Sequence, residues 1–538
     1  MPLGPIVRIA YHVPDEGRHR EVLVAGDGSL VRRGADDSHE VEVIVGGDEE
    51  VRHVRVRPTV AVVVDSVVAT MYLPLDDADA IYLNGYNSWT DSVERPVRGR
   101  MYGLSRVPDH LVRRCVLDGS GDYRFVEEDP RPGRQHGFGY GYVRQGAQVL
   151  LFGSLDEDTG LTLIRENAAA GTLEFVKEPP ARVLAAGEER EVLGLCVTGG
   201  TLDEALSRWL EIRGTTIREA RPLVGYTSWY RHYGDIDAWK LTADLVGVSQ
   251  VLGGLDLGDV DPVFQIDDGY AKVGDWLEYN RARFPEGLRG IASSAAEKGF
   301  VPGLWLAPFV CEGDSRLFAE HGDWLLRDEQ GNPVPTGDQW SGGFALDTTN
   351  EQVRAHVAKT LRAVTQDWGF KLLKLDFLYA ACMIPHDGLN RGELIADALD
   401  LLRRNVSDDV RLLFCGVPLV SAFGRCEYCR VGADVGLDWD DLPHRRLLHR
   451  ERVSTKWSLA NARGRAHLDG KVFRCDPDVL FLREEGVRLT PAQRKEMIDT
   501  DTSCGGVLLT SDDMSSWNTE QLDAYHDALH RFRQHQTK

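Results

Sequence analysis

Downstream of Arg221 the sequence repeats one pattern eight times: a short apolar run, then a loop or a helical stretch. The runs are LVGYTSWY, PVFQIDD, VPGLWLAP, KLLKLDF, RLLFCGV, YCRVGADV, PDVLFLR and GGVLLTSDD. Helical stretches such as EQVRAHVAKTLRAVTQDWG, ELIADALDLLRRN and TEQLDAYHDALHRFRQ lie between or after them. Strands that alternate with helices pair in parallel, because a helix is the usual crossover between parallel neighbours. Eight such repeats in roughly 320 residues fit a (β/α)8 TIM barrel, whose common size is ~250 residues before loop insertions. The predicted fold class is α/β, with the barrel over residues 221–538.

Residues 1–200 follow a different period. VEVIVGG, VRHVRVRP, AVVVDSVVATMYL, QVLLFGSL, TGLTLIRE, GTLEFVKE and EREVLGLCVTG mix alternating and continuously apolar runs, separated by Gly, Asp, Glu or Pro turns. Period-two runs at this spacing predict an N-terminal antiparallel β-sandwich domain. Residues 201–220 read as a linking helix, since LDEALSRWLEIRGTT is amphipathic and meets a stop signal at Gly214. The last helical run almost reaches Lys538, so no C-terminal β-domain is expected.

The chain carries 84 acidic and 62 basic residues, a net charge of −22. That surplus repels phosphate backbones and anionic lipids, which argues against nucleic acid and membrane partners and suits a neutral substrate. No basic segment followed by a long apolar run opens the sequence, and no stretch approaches the ~18 apolar residues of a membrane span. Nine scattered cysteines favour a reducing compartment, so a cytoplasmic location is expected. Cys426 and Cys429 form a single CxxC without a second pair at zinc spacing, and read as structural thiols. GFGYGYV lacks the strand–helix setting of a dinucleotide motif. Neither a cofactor nor a metal is expected.

Barrel active sites form at the C-terminal strand ends. Those ends carry Trp229, Asp267 with Asp268, Trp305, Asp376, Cys415, Asp434, Asp478, and Ser511 with Asp512 and Asp513. Carboxylates accept hydrogen bonds from hydroxyls, and tryptophan faces cover the apolar patches of a pyranose. The composition is that of a sugar site. Glycoside hydrolysis needs two carboxyl groups flanking the scissile bond, and acids on different strands can meet across the mouth. Lys374, two residues before Asp376, is expected on the same face, where it would keep that carboxylate ionised. Arg430 precedes Asp434 by four residues, and Asp438, Asp440 and Asp441 follow, a crowd of acids that would suit a proton donor. Gly269 after the Asp267–Asp268 pair lets the chain turn so that both acids reach the mouth. Paired acids could also hold a metal.

FQIDDGY, GDWLEYNRARFPEGL, GFVPGLWLAPFV, ALDTTN, WGFKLLKLDFLYA, FCGVPLVSAFG, CRVGADVGLDWDD and CDPDVLFLR run in order through the second half, and NGYNSW stands in the first. Together they resemble glycoside hydrolase family 36, the α-galactosidases, in the clan shared with families 27 and 31. The resemblance implies that Asp376 is the nucleophile and Asp434 the acid/base of a retaining, exo-acting double displacement on terminal α-D-galactosyl residues. It implies that Asp267 and Asp268 grip the hydroxyls at C4 and C6, and that Lys374, Cys415 and Arg430 are further sugar contacts. Trp229, Trp305 and Trp89 are expected around the pocket, Trp89 from this chain or from a neighbouring copy in a homo-oligomer. Tyr270 stands where the family usually has Trp, and KLDFLYA replaces the commoner KWDxN. Cys415 resembles the form that packs against a 2-hydroxyl and leaves little space for an acetamido group. An α-galactoside oligosaccharide or glycoconjugate is the expected substrate. The competing readings are an α-N-acetylgalactosaminidase, a β-L-arabinopyranosidase, an α-glucosidase, a galactosyl-transferring transglycosylase, a silent carbohydrate-binding protein and a metal-dependent isomerase. The Asp pair argues against the gluco epimer, and a binding protein would have no use for a nucleophile.

Overall fold

The computed structural model describes residues 5–14, 16–25, 31–101, 103–440 and 450–536. Two antiparallel sheets form the first 200 residues. One has six strands in the order His19–Val24, Ile6–His12, Val63–Tyr72, Thr172–Lys177, Thr162–Asn167, His136–Phe138. The other has eight, in the order Arg32–Ala35, Val41–Gly47, Val51–Pro58, Arg190–Gly200, Gln148–Ser154, Tyr140–Gln145, Ala80–Leu83, Arg95–Pro96. All seven predicted runs are strands. Alternation does the work: Val41, Val43 and Val45 point one way and meet Val7, Ile9 and Tyr11 of the opposite sheet in one buried core. The eight-stranded sheet is covered on its other face too. There Tyr140 stacks on Trp209 of the helix Leu202–Arg213, at 5.0 Å between ring centres. That helix starts at a Thr201–Glu204 capping box and ends at Gly214 in the left-handed region, φ 70°.

The second half is built on nine parallel strands, β1 (Leu223–Thr227), β2 (Asp261–Ile266), β3 (Val301–Leu306), β4 (Leu372–Leu375), β5 (Arg411–Phe414), β6 (Tyr428–Arg430), β7 (Arg474–Asp476), β8 (Val479–Leu480) and β9 (Val507–Thr510). Their order in the sheet is β7-β6-β5-β4-β3-β2-β1-β9-β8. All eight predicted apolar runs are found; β8 lies in PDVLFLR, and β7, which precedes that run, is parted from β8 only by Pro477 and Asp478. The two edges of the sheet therefore adjoin in the chain, and the sheet curls. Strands buried on both faces are continuously apolar, as Val301–Leu306 is. Among the described residues no helix is long and apolar enough to cross a membrane.

Between β3 and β4 lies a three-stranded antiparallel sheet, Val310–Glu312, Gly343–Ala345 and Pro335–Gly337, absent from the sequence reading. Its strands are three residues each, too short to show a period. It carries Trp340 to the strand ends.

The two halves are joined through the loop after Ala80–Leu83. Arg465, 0% exposed, donates to Asn84 Oδ1 at 3.2 Å, to the carbonyls of Asn87 at 3.0 Å and Ser88 at 2.6 Å, and to that of Val431 at 3.2 Å. Ser88 N–H bonds the Val417 carbonyl at 2.8 Å, and Gly416 N–H bonds Ser88 Oγ at 2.8 Å. NGYNSW is thus a buried strap stitched to the strand ends, with Trp89 at its tip. Arg465→Met would strand four acceptors in the interior. We expect it to lower the unfolding free energy by about 3–5 kcal/mol in a denaturant titration. An effect under about 1 kcal/mol would show that the strap is held by other contacts.

Candidate active site

A cavity of about 680 Å³ opens beyond the C-terminal ends of the parallel strands. Eight of the ten residues singled out above line it: Trp89, Trp229, Asp267, Asp268, Trp305, Lys374, Asp376 and Asp434. The other two, Cys415 and Arg430, stand behind its wall, each 1% exposed. Trp89 comes from the same chain.

Asp376 follows β4. Its Oδ2 accepts the Trp305 indole N–H at 3.0 Å and its Oδ1 the N–H of Phe377 at 2.8 Å. Both donors are fixed by the backbone, Trp305 on β3 and Phe377 in the left-handed region at φ 55°. Lys374 does not pair with Asp376 as expected. Its Nζ lies 2.9 Å from Asp267 Oδ2 and reaches Asp376 only through its field. Burial wins, and Asp376 sits above the usual carboxylate range, opposed by Lys374 and by the Trp305 hydrogen bond.

Asp267 and Asp268 follow β2, where Gly269 adopts φ 114° and a Cβ there would lie 2.6 Å from the Gly234 carbonyl oxygen. The turn anticipated from Gly269 is therefore present and needs glycine. Asp267 Oδ2 also accepts the Gln265 amide at 2.9 Å. Asp268 Oδ2 accepts the Trp340 indole N–H at 2.7 Å. Burial pushes Asp268 up to about 7, against the pull of that hydrogen bond. Trp340 was missed because its only sequence signal, a lone aromatic in a Gly-rich stretch, is shared by many loops.

Asp434 lies beyond β6, its side chain 37% exposed, and its Oδ1 accepts from Arg430 Nη2 at 3.0 Å. Asp440 is bound to Arg452 at 3.1 Å, Asp441 lies outside the described residues, and the field of Asp434 reaches Asp376, Asp476 and Asp478.

Three other strand-end groups are turned away from the cavity. Asp512 Oδ2 accepts the N–H groups of Leu482 and Arg483 at 2.7 and 2.8 Å, Asp513 pairs with Arg231 at 2.9 Å, and Ser511 Oγ donates to the Thr227 carbonyl at 2.6 Å. These close the backbone between strands. Cys415 Sγ receives the Trp89 indole N–H at 3.1 Å, and burial pushes its thiol well up. Cys426 and Cys429 are both buried free thiols.

A cavity with two carboxylates on separate strand ends, an adjacent Asp pair and four indoles matches what sugar recognition requires. Residues 205–393 match the family described as melibiase. An α-galactosidase from Thermus thermophilus, solved with p-nitrophenyl α-D-galactopyranoside, superposes with a TM-score of 0.70 at 28% identity, over 91% of this chain and 92% of that one. The same enzyme has been solved with stachyose. Alpha-galactosidase 1 of Pediococcus pentosaceus is 24% identical over 217 residues, 38% of this chain. Alpha-galactosidase AgaA of Geobacillus stearothermophilus is 29% identical over 171 residues, 30% of this chain. The matched stretches span 28% and 22% of those two curated relatives' lengths. By sequence over residues 205–393, and by fold over nearly its whole length, the chain is similar to α-galactosidases.

Proposed function

We propose that the protein is a retaining, exo-acting α-galactosidase. In this reading the curled sheet is a closed (β/α)8 barrel over residues 221–538, with β7 and β8 as one interrupted strand, preceded by a β-sandwich over 1–200 and the linking helix of 201–220. Asp376 attacks the anomeric carbon while Asp434 protonates the leaving oxygen; Asp434 then takes a proton from the water that releases the sugar. The Trp305 and Phe377 N–H groups each hold one oxygen of Asp376 and favour its ionised form against burial. Asp267 and Asp268 take the C4 and C6 hydroxyls, and Lys374, bound to Asp267, adds a donor beside them. Trp305, Trp229 and Trp89 wall the ring. The observation that carries the reading is that Asp376 and Asp434 reach one cavity from different strand ends, near enough for each charge to act on the other.

Trp89 closes over Cys415, and a Cβ on Gly416 would lie 2.9 Å from the Trp89 ring. That packing supports a 2-hydroxyl over a bulkier 2-acetamido group. Assay with p-nitrophenyl α-galactoside beside its gluco and N-acetylgalacto analogues tests both points. We expect the galacto substrate to lead in kcat/KM by at least ~100-fold, the scale set by unpaired buried polar groups in the wrong complex. Equal rates on the gluco epimer would overturn the assignment.

A further inference from the structure

One arginine stands between two carboxylates at the rim of this cavity. Arg430 Nη2 lies 3.0 Å from Asp434 Oδ1 and 2.7 Å from Asp478 Oδ2. Asp434 reaches the cavity, while Asp478 is buried and outside its lining. The same Asp478 oxygen accepts the Tyr230 hydroxyl and, at 2.9 Å, the Val435 N–H. Asp478 interrupts the β7–β8 run with φ 92°, a left-handed value that a non-glycine residue holds only under constraint. Neither the sugar contacts nor the displacement chemistry accounts for it.

The charged and titratable groups around Asp434 come from every neighbouring element. Arg430 is on β6, Asp476 and Asp478 flank the β7–β8 junction, Asp376 follows β4, Cys415 follows β5, and Tyr230 is on the short helix Trp229–His232. Lys374 is engaged by Asp267, Arg452 by Asp440, and Glu451 by Thr90 and Tyr123. Direct contact with Asp434 is thus dominated by one guanidinium that a second carboxylate shares. Two carboxylates on one cation compete for it, so each weakens the cation's hold on the other. Three donors on one Asp478 oxygen stabilise its charged form.

We propose that Asp478 is a positioning residue: by sharing Arg430, it lets Asp434 keep the proton that the leaving group must receive. The proposal rests on Asp434 being the proton donor. Without Asp478 the guanidinium would face Asp434 alone and hold it ionised. Burial lifts Asp478 above the usual carboxylate range and Arg430 pulls it down.

Asp478→Asn removes the charge at nearly constant shape, and Asn tolerates positive φ better than most residues. The pH profile of kcat/KM is measured with phenyl and dinitrophenyl α-galactosides. We expect the basic limb on the phenyl substrate to move down by about one pH unit, the scale of one lost like charge. At pH 7 the phenyl substrate should then lose ~10-fold and regain it near pH 5, while the dinitrophenyl substrate, which needs no proton, changes less than ~3-fold. A limb that stays in place or moves up overturns the proposal. Asp478→Gly removes the carboxylate together with the backbone constraint, and must move the same limb if the Asn variant does not fold. Asp478→Glu, which keeps the charge, should return the limb towards the parent position. The outcomes separate cleanly. If Asp434→Ala shows no leaving-group dependence, the proton-donor reading fails and this inference with it; if it does and the Asp478→Asn limb is unmoved, only the role of Asp478 fails.

Discussion

Asp376→Ala is expected to lower kcat on p-nitrophenyl α-galactoside by roughly four orders of magnitude or more, and azide is expected to restore part of it with inversion. The expectation follows from where Asp376 stands. It is the carboxylate whose two oxygens are each held by a backbone-anchored donor, from Trp305 and Phe377, so its approach to a bound sugar is set by strands β3 and β4. Truncation opens a space of carboxylate size beside the anomeric carbon. Azide entering that space can perform a single displacement, and one displacement inverts where two retain. The product to find by NMR is the β-galactosyl azide. An α-azide, or full activity without azide, would remove Asp376 from the nucleophile's role.

The second large effect is expected at Asp434, and it should depend on the leaving group. Asp434→Ala leaves Asp376 able to attack but removes proton donation. We expect kcat/KM for phenyl α-galactoside to fall by about 10³–10⁴-fold, the usual range of general acid catalysis. The dinitrophenyl substrate, whose phenolate leaves unaided, should lose about 10-fold or less, and a slow release step should appear as a burst of dinitrophenol. Equal losses on both substrates would assign the proton to another group.

These expectations draw on sequence and structure in unequal parts. Strand identity was legible because an element buried on both faces must be continuously apolar, and one with a single buried face must alternate; VPGLWLAP and VEVIVGG each show their environment directly. The helix stop at Gly214 was legible for a similar reason, since caps are local chemistry. Most of the candidate site was legible once strand ends were located, because a barrel-like array sends every strand end to the same mouth.

What failed were inferences from nearness in sequence. Lys374 is two residues from Asp376 and yet bonds Asp267, 107 residues away. Asp440 follows Asp434 by six residues, yet it is taken by Arg452. Asp512 looked like a third carboxylate at the mouth and instead ties two strands together. Trp340 had no sequence signal beyond its ring.

The residue sequence by itself determined the longer strands and helices, which end of each barrel strand bears polar groups, and that Trp89 and the Asp pairs were available for a sugar site, because all of these depend on periodicity and on side-chain type within a few residues. Only the tertiary structure decided which charge faces which, that Arg465 straps the Trp89 loop to the strand ends, and that one arginine serves both Asp434 and Asp478. The physical reason is that electrostatic and hydrogen-bond partners are chosen by distances of a few ångströms in space, and β-sheet pairing sets those distances between residues that the chain itself keeps far apart.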